Sequence, residues 1–215
     1  IFILATTELE KLPDTIRSRC QTFVFTTPSQ TTLRTRLEQV LEAEKISIEP
    51  TGIELIAYVA DGSFRDALGV LQKVVSVATE QTLSTELVAE VLGAPPRTLI
   101  QAVVQAVHTG EVDAGLTALQ TLNRGSLDTG LAFKLVLERL RAVLLLKNAP
   151  QLKPTLLERL GEDEITWLSE LASATPSGIN ARSLQAFLDS YQYKDATSIP
   201  SLPLELALLS LTKDE

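Results

Sequence analysis

Methionine is absent from all 215 residues, and cysteine, histidine and tryptophan occur once each. The lone cysteine, Cys20, excludes a disulfide framework, and with only His108 to join it no structural zinc site can be completed. The want of methionine makes an internal or processed piece of a longer protein the expectation. The want of disulfides points to a reducing, cytoplasmic compartment. Aromatic residues make up 5% of a chain that is 45% hydrophobic, so the core must be built from Leu, Ala and Val, which suits packed helices better than sheets. Long apolar runs are missing too. Ile1-Phe2-Ile3-Leu4 gives way to Thr6, Thr7 and Glu8, far short of the roughly 18–20 residues of a membrane span, and no signal peptide or anchor is recognisable.

Positive charge is scarce. Lys and Arg number 19 against 27 Asp and Glu, a net charge of −8. The imbalance is largest over residues 26–93, where five basic side chains face ten acidic ones, whereas residues 1–25 balance at three each. Phosphate neutralisation by Lys and Arg supplies most non-specific affinity for nucleic acid, so extensive direct DNA binding is not expected, although a local basic cluster can still meet a phosphate. A glycine-lysine phosphate loop is missing, as is an apolar run ending in the paired acids that hold magnesium. The chain by itself is therefore expected neither to bind a nucleotide tightly nor to hydrolyse it. A nucleophilic pair of Cys20 and His108 would have to join residues far apart in the sequence, and ordinary packing is the expectation for both.

What is present falls into three stretches. Residues 1–5 are apolar without interruption, the pattern of a strand buried on both faces, and residues 22–26 read as a second short strand. Between them Pro13 and Asp14 open a short helix. From Pro28 the period becomes helical. Leu33, Leu37, Val40 and Leu41 form one stripe, and Ile53, Ile56, Ala57 and Ala60 a second that stops at Asp61-Gly62. Ser63 caps a third helix with the stripe Phe64, Leu68, Leu71, Val74, Val75 and Ala78, and Ser84 caps a fourth. Gly93-Ala94-Pro95-Pro96 then breaks the chain. Five or six more helices follow, interrupted at Gly110, Asn123-Arg124-Gly125, Asn148-Ala149-Pro150, Gly161, Pro176-Ser177-Gly178 and Ser198-Ile199-Pro200. The longest, over 128–147, carries leucines around much of its circumference, which predicts the centre of a bundle or a subunit interface. The fold class expected is mainly α. Residues 1–26 form the trailing remnant of an α/β domain, 27–93 a small helical domain, and 94–215 a helical bundle.

Two arginines stand out. Arg19 lies at a junction between a short helix and an extended run, and Arg65 falls in the first turn of the helix capped by Ser63. A cation there opposes the helix dipole unless it meets an anion. A surface ion pair with Asp66 and contact with a bound anion both account for it.

The residues Phe2-Ile3-Leu4-Ala5-Thr6-Thr7-Glu8, Lys11-Leu12-Pro13-Asp14-Thr15-Ile16 and Ser18-Arg19-Cys20-Gln21 resemble the end of the ATPase domain in the bacterial DNA polymerase III gamma/tau family. Gly62-Ser63-Phe64-Arg65-Asp66-Ala67 and Leu202-Pro203-Leu204-Glu205-Leu206-Ala207-Leu208 resemble the same family in the same order, so the resemblance spans nearly the whole chain. Ser-Arg-Cys alone is common to clamp-loader ATPases; the combination points to gamma/tau. The resemblance implies a P-loop ATPase remnant of the AAA+ class, a lid domain and a collar domain that joins loader subunits. It implies that Thr7, with adjacent Thr6 as the weaker candidate, is the sensor-1 hydroxyl, that Arg19 is the arginine finger entering a neighbouring subunit's ATP site, and that Arg65 is sensor 2, contacting ATP in its own subunit. ATP with magnesium would be the cofactor of the full-length subunit, held by a phosphate loop and acids upstream of Ile1, with no cofactor for this stretch alone. The implied partners are the other clamp-loader subunits through the collar, the sliding clamp and primed DNA, with no membrane. Two rival readings fit the same residues: a wedge of another AAA+ loader, and a purely structural oligomerisation module in which both arginines make only ion pairs.

Overall fold

The computed structural model describes residues 1–77, 82–124, 127–194 and 196–211, and leaves Ala78 and Gly125 outside. Residues 1–29 hold no buried side chain. The first short helix is found as α1 (Asp14–Arg17), preceded by a 3-10 turn, Leu9–Lys11. The strands expected over 1–5 and 22–26 are not found: both segments are extended but unpaired, and Ile1, Phe2 and Phe25 are fully exposed. An apolar run becomes a central strand only where neighbouring strands take up its N–H and C=O groups and helices cover its faces. No described residue of this chain offers those partners to either segment.

The helical stretches form as their stripes predict. α2 (Gln30–Glu44) begins where the Ser29 side chain accepts from Thr32 N, and buries Leu33, Leu37 and Leu41. α3 (Pro50–Val59) has proline at its first position, where the missing N–H costs nothing, and buries Ile53, Ile56 and Ala57. α4 (Phe64–Val77) buries Ala67, Leu71 and Val74, and α5 (Thr85–Val91) is capped by Ser84, which accepts from Leu87 N. Between these helices, β1 (Ser47–Ile48) pairs in parallel with β2 (Thr82–Leu83), turning Ile48 and Leu83 into the same core. Strands of two residues carry no period, which is why sequence pattern does not reveal them.

A second hydrophobic cluster is built by α6 (Arg97–Thr109), α7 (Val112–Arg124), α8 (Thr129–Asn148), α9 (Lys153–Leu160), α10 (Glu162–Ser173), α11 (Ala181–Tyr191) and α12 (Leu202–Leu209). These are seven α-helices among the described residues, against the five or six expected. α9 and α10 are separated by Gly161 alone, whose φ of 78° ends one helix and starts the next. α6 and α7 approach closely at Gly115, where a Cβ would come 2.8 Å from that of Ala106. α8 packs against α6, α10 and α11. It buries Leu131, Phe133, Val136, Leu140, Val143 and Leu146, with Leu135, Leu137, Leu144 and Leu145 half-buried against the same cluster. Of the two settings predicted for this helix, the chain itself supplies the bundle centre.

Polar links join the two clusters. Asp128 N donates to Gly93 O at 2.7 Å. Lys134 of α8 reaches Asp61, beyond the end of α3, with Nζ 2.7 Å from Oδ2. A cleft of about 830 Å³ opens between α2–α3 and α8–α9, with Arg34, Glu54, Tyr58, Leu135, Glu138 and Arg139 in its walls. No helix among the described residues is long and apolar enough to cross a membrane.

Candidate functional site

The turn between α3 and α4 is set by backbone conformation. Asp61 and Gly62 are both left-handed, with φ of 49° and 82°. Aspartate tolerates that region better than most side chains. At Gly62 any side chain is excluded, because a Cβ would lie 2.2 Å from Cγ2 of Thr27. Ser63 N donates to Ala60 O at 2.9 Å and closes the turn. The Ser63 hydroxyl accepts from Asp66 N at 3.2 Å, which caps α4 and puts Arg65 in its first turn. Ala67 is buried while Arg65 and Asp66 are exposed, so the guanidinium projects from a fixed helix start. The ion pair with Asp66 that spacing allows is not made, and among the described residues Arg65 has no carboxylate partner.

Arg19 follows α1 directly, its N–H donating to Ile16 O at 3.1 Å and its side chain exposed. The other two cations of residues 1–25 are both engaged: Lys11 Nζ lies 2.6 Å from Glu8 Oε1, and Arg17 pairs with Asp14 across one helical turn. Arg19 has no such partner among the described residues. Thr7 sits at a bend, exposed, with no partner for its hydroxyl among the described residues, whereas the neighbouring Thr6 Oγ1 accepts from Glu8 N at 2.9 Å. No hydrogen bond or ion pair among the described residues joins Thr7, Arg19 and Arg65 to one another. His108 is packed as expected, buried with Nδ1 2.9 Å from Ser177 Oγ, whereas Cys20 is exposed and not packed, since residues 1–29 bury no side chain; the two do not form a pair.

The cations of the large cleft are occupied. Arg34 lies 2.9 Å from both Glu38 and Glu54, and the hydrogen bond it donates to the Glu38 carboxylate holds its pKa above the usual arginine value. Arg139 binds Glu138 and Glu164, each at 3.1 Å, and Glu164 also meets Arg97 at 2.8 Å. The cleft is therefore a neutralised seam between the clusters, while Arg19 and Arg65, like Arg36, Arg141 and Arg182, have no carboxylate partner among the described residues and can take an anion without breaking an existing ion pair. No group of three or more His, Cys, Asp or Glu that could hold a metal ion occurs among the described residues. Sequence pattern did not expose the Lys134–Asp61 contact or the Arg97–Glu164–Arg139 bridge, because each joins residues distant in sequence and leaves no local period.

Comparison with known proteins agrees with the order of these elements. The family profile for the DNA polymerase III clamp loader subunit, ATPase lid domain, matches residues 32–80, and that for domain III of DNA polymerase III subunits gamma and tau matches residues 83–214. DNA polymerase III subunit tau of Bacillus subtilis (strain 168) is 31% identical over 211 residues, covering 98% of this chain and 37% of that protein. The tau subunit of Salmonella typhimurium (strain LT2) is 32% identical over 180 residues, covering 82% of this chain and 27% of that protein. The chain thus spans about a third of the length of these curated relatives. A solved structure of the Bacillus subtilis DNA clamp loader delta protein superposes with a TM-score of 0.41 at 14% identity, over 87% of this chain and 57% of that one, a similarity too weak to carry argument. With a domain III match across residues 83–214, the chain belongs to the DNA polymerase III gamma and tau subunit family.

Proposed function

We propose that this chain is the part of a clamp-loader subunit that senses nucleotide and carries its effect to neighbouring subunits, in a protein that opens the sliding clamp and places it on primed DNA at the expense of ATP. Residues 1–26 are the end of the nucleotide-binding domain, 27–93 the lid and 94–215 the collar through which loader subunits associate. ATP and magnesium belong to the full-length subunit. The phosphate loop and magnesium-binding acids are contributed by residues outside this chain, which by itself holds no nucleotide tightly. Arg65, as sensor 2, touches the phosphates of ATP in its own subunit. Arg19 enters the ATP site of the next subunit as an arginine finger, and Thr7 orients the attacking water or the γ-phosphate as sensor 1.

The observation that carries this reading is that the two arginines matching the family's motifs, Arg19 and Arg65, are exposed and lack carboxylate partners among the described residues; Arg36, Arg141 and Arg182 are also unpaired but lie outside those motifs, while Lys11, Arg17, Arg34 and Arg139 are paired. A guanidinium presents a planar fork of donors that fits phosphate oxygens, and at the transferring phosphoryl group such a fork is worth roughly 10³–10⁵ in rate. Two arginines reading two different ATP molecules would tie the lid angle to the packing of neighbours. The reading that both arginines serve only structure is disfavoured by their lack of partners. To test it, full-length subunits carrying Arg19→Ala are assembled with partners whose own ATP sites are disabled, and hydrolysis is compared with the reverse arrangement. The expected loss appears at the neighbour's site. A loss confined to the mutant subunit's own site would refute the finger role.

A further inference from the structure

The turn that presents Arg65 is held from outside the helices it connects. On one side, Gly62 lies against Thr27, where the chain enters the α2–α5 cluster. On the other, Asp61 takes the Lys134 ammonium of α8 at 2.7 Å. Asp61 is thus the residue through which the large cluster touches the helix start bearing Arg65, four positions further on. We infer that Lys134 is a positioning residue for nucleotide sensing: by fixing Asp61 in its left-handed conformation, it sets the aim of Arg65 and makes nucleotide affinity respond to the position of the α6–α12 bundle.

The energetics suit a modulating contact more than a structural one. The side chains of Asp61 and Lys134 remain 77% and 35% exposed, so their pairing contributes little to folding and is weakened by salt. The pair spans two hydrophobic clusters, however, and even a small bias between clusters is passed on to whatever the turn carries. Asp61 has no slack with which to absorb a movement of Lys134, because its own φ is 49°, Gly62 is pressed against Thr27, and Ala60 is buried. A displacement of α8 beyond what the flexible Lys134 side chain can follow therefore moves the first turn of α4 or breaks the pair.

This inference rests on the reading of Arg65 as a phosphate contact, and the experiment separates the two. Dissociation constants for a fluorescent ATP analogue are measured on the assembled full-length subunit, at low and high salt, for Lys134→Ala, Lys134→Arg, Asp61→Asn, the Lys134→Ala/Asp61→Asn pair and Arg65→Ala. Asparagine keeps the tolerance for left-handed backbone while removing the charge. Lys134→Ala and Asp61→Asn are each expected to weaken binding about two- to fivefold at low salt, the size an exposed ion pair can transmit. The double variant should be no weaker than either single one, Lys134→Arg should restore most of the affinity, and high salt should erase the difference. With Arg65→Ala as background, Lys134→Ala should change nothing further. If Arg65→Ala weakens binding and Lys134→Ala does not, the positioning role is overturned while sensor 2 stands. If Arg65→Ala itself leaves affinity unchanged, the sensor reading falls and takes the inference with it. Melting temperatures near that of the parent protein for all variants show that folding is not what was measured.

Discussion

Where α6–α12 meet, Phe133 stands edge-on to Tyr191 at 5.6 Å and the Glu164 carboxylate, 7% exposed, is gripped by Arg139 and Arg97. Where α2–α5 meet, every buried side chain among the described residues is aliphatic, and the polar bonds sit at exposed edges: serine caps, Arg34 with its two glutamates, and Glu49 with Thr85. In the first cluster an enclosed carboxylate has two guanidiniums to find and an aromatic pair a preferred geometry, contacts expected to fix its register. The second is held by area and by caps at its rim, so a shift of the unit as a whole strips no buried charge of its partner. That suits a bundle acting as a scaffold and a smaller unit acting as the sensing element.

The sharpest test of this contrast removes what only the larger cluster has. Phe133 is fully buried, and Phe133→Ala is expected to cost about 3–5 kcal/mol in urea unfolding, through lost transfer energy and the cavity left behind. If one transition persists and shifts as a whole, the clusters unfold together; a residual transition at the original midpoint would show that the smaller cluster stands alone. Glu164→Ala should cost about 3 kcal/mol, since it leaves Arg139, 17% exposed, with Glu138 as its one carboxylate beside the Leu135 carbonyl and takes Arg97's carboxylate away. A loss below about 0.5 kcal/mol would mean that the ionic bridge does not specify the register and that the two clusters are alike after all.

Much of this architecture is legible in the residues. Ser63 and Ser84 cap the helices they were expected to start, Gly110 ends α6 in left-handed backbone, and the leucines of 128–147 announce a central helix. Caps, breakers and stripes are local, and local signals survive translation into structure. The strands expected over 1–5 and 22–26 fail because a strand is a property of its neighbours. β1 and β2 are too short to show a period, and the partner of Glu164 cannot be read from spacing because Arg97 and Arg139 arrive from other helices. For the candidate site, the placement of Arg65 in a first turn follows from Gly62-Ser63, and Arg19 lies just past α1 as expected. What the two arginines would contact comes from family resemblance rather than from their surroundings.

Within the smaller cluster, the rim caps are the contacts to break. Ser63→Ala removes the acceptor for Asp66 N and is expected to cost about 1 kcal/mol, while Ser63→Gly should cost only a few tenths. If the cap sets the aim of Arg65, the alanine variant should also weaken nucleotide binding in the full-length subunit by more than the glycine variant does, measured with the same fluorescent analogue. Equal affinities would make Ser63 a contributor to helix stability alone.

The smallest effect expected is one of pH, and it sits at the seam between α3, β2 and α5. Glu49 Oε2 accepts from Thr85 N at 2.9 Å and from Thr85 Oγ1 at 2.8 Å. Both donors favour the ionised carboxylate, the backbone N–H most, and they hold its pKa below the ordinary glutamate value. Because the folded-state value is depressed, the unfolded chain takes up its proton first as pH falls. The stabilisation is therefore complete above the ordinary glutamate range and is lost as pH drops through the folded value. Glu49→Gln keeps a carbonyl acceptor but removes the charge. Its stability relative to the parent should be lower at neutral pH and should converge on it in acid, when both are followed by urea denaturation across a pH series. The carboxylate is fully exposed, so the gap should be small and should narrow with salt. A gap of constant size from neutral to acid pH would show that Glu49 acts as a neutral hydrogen-bond acceptor, leaving the rim of the smaller cluster no charge-dependent contact at this seam.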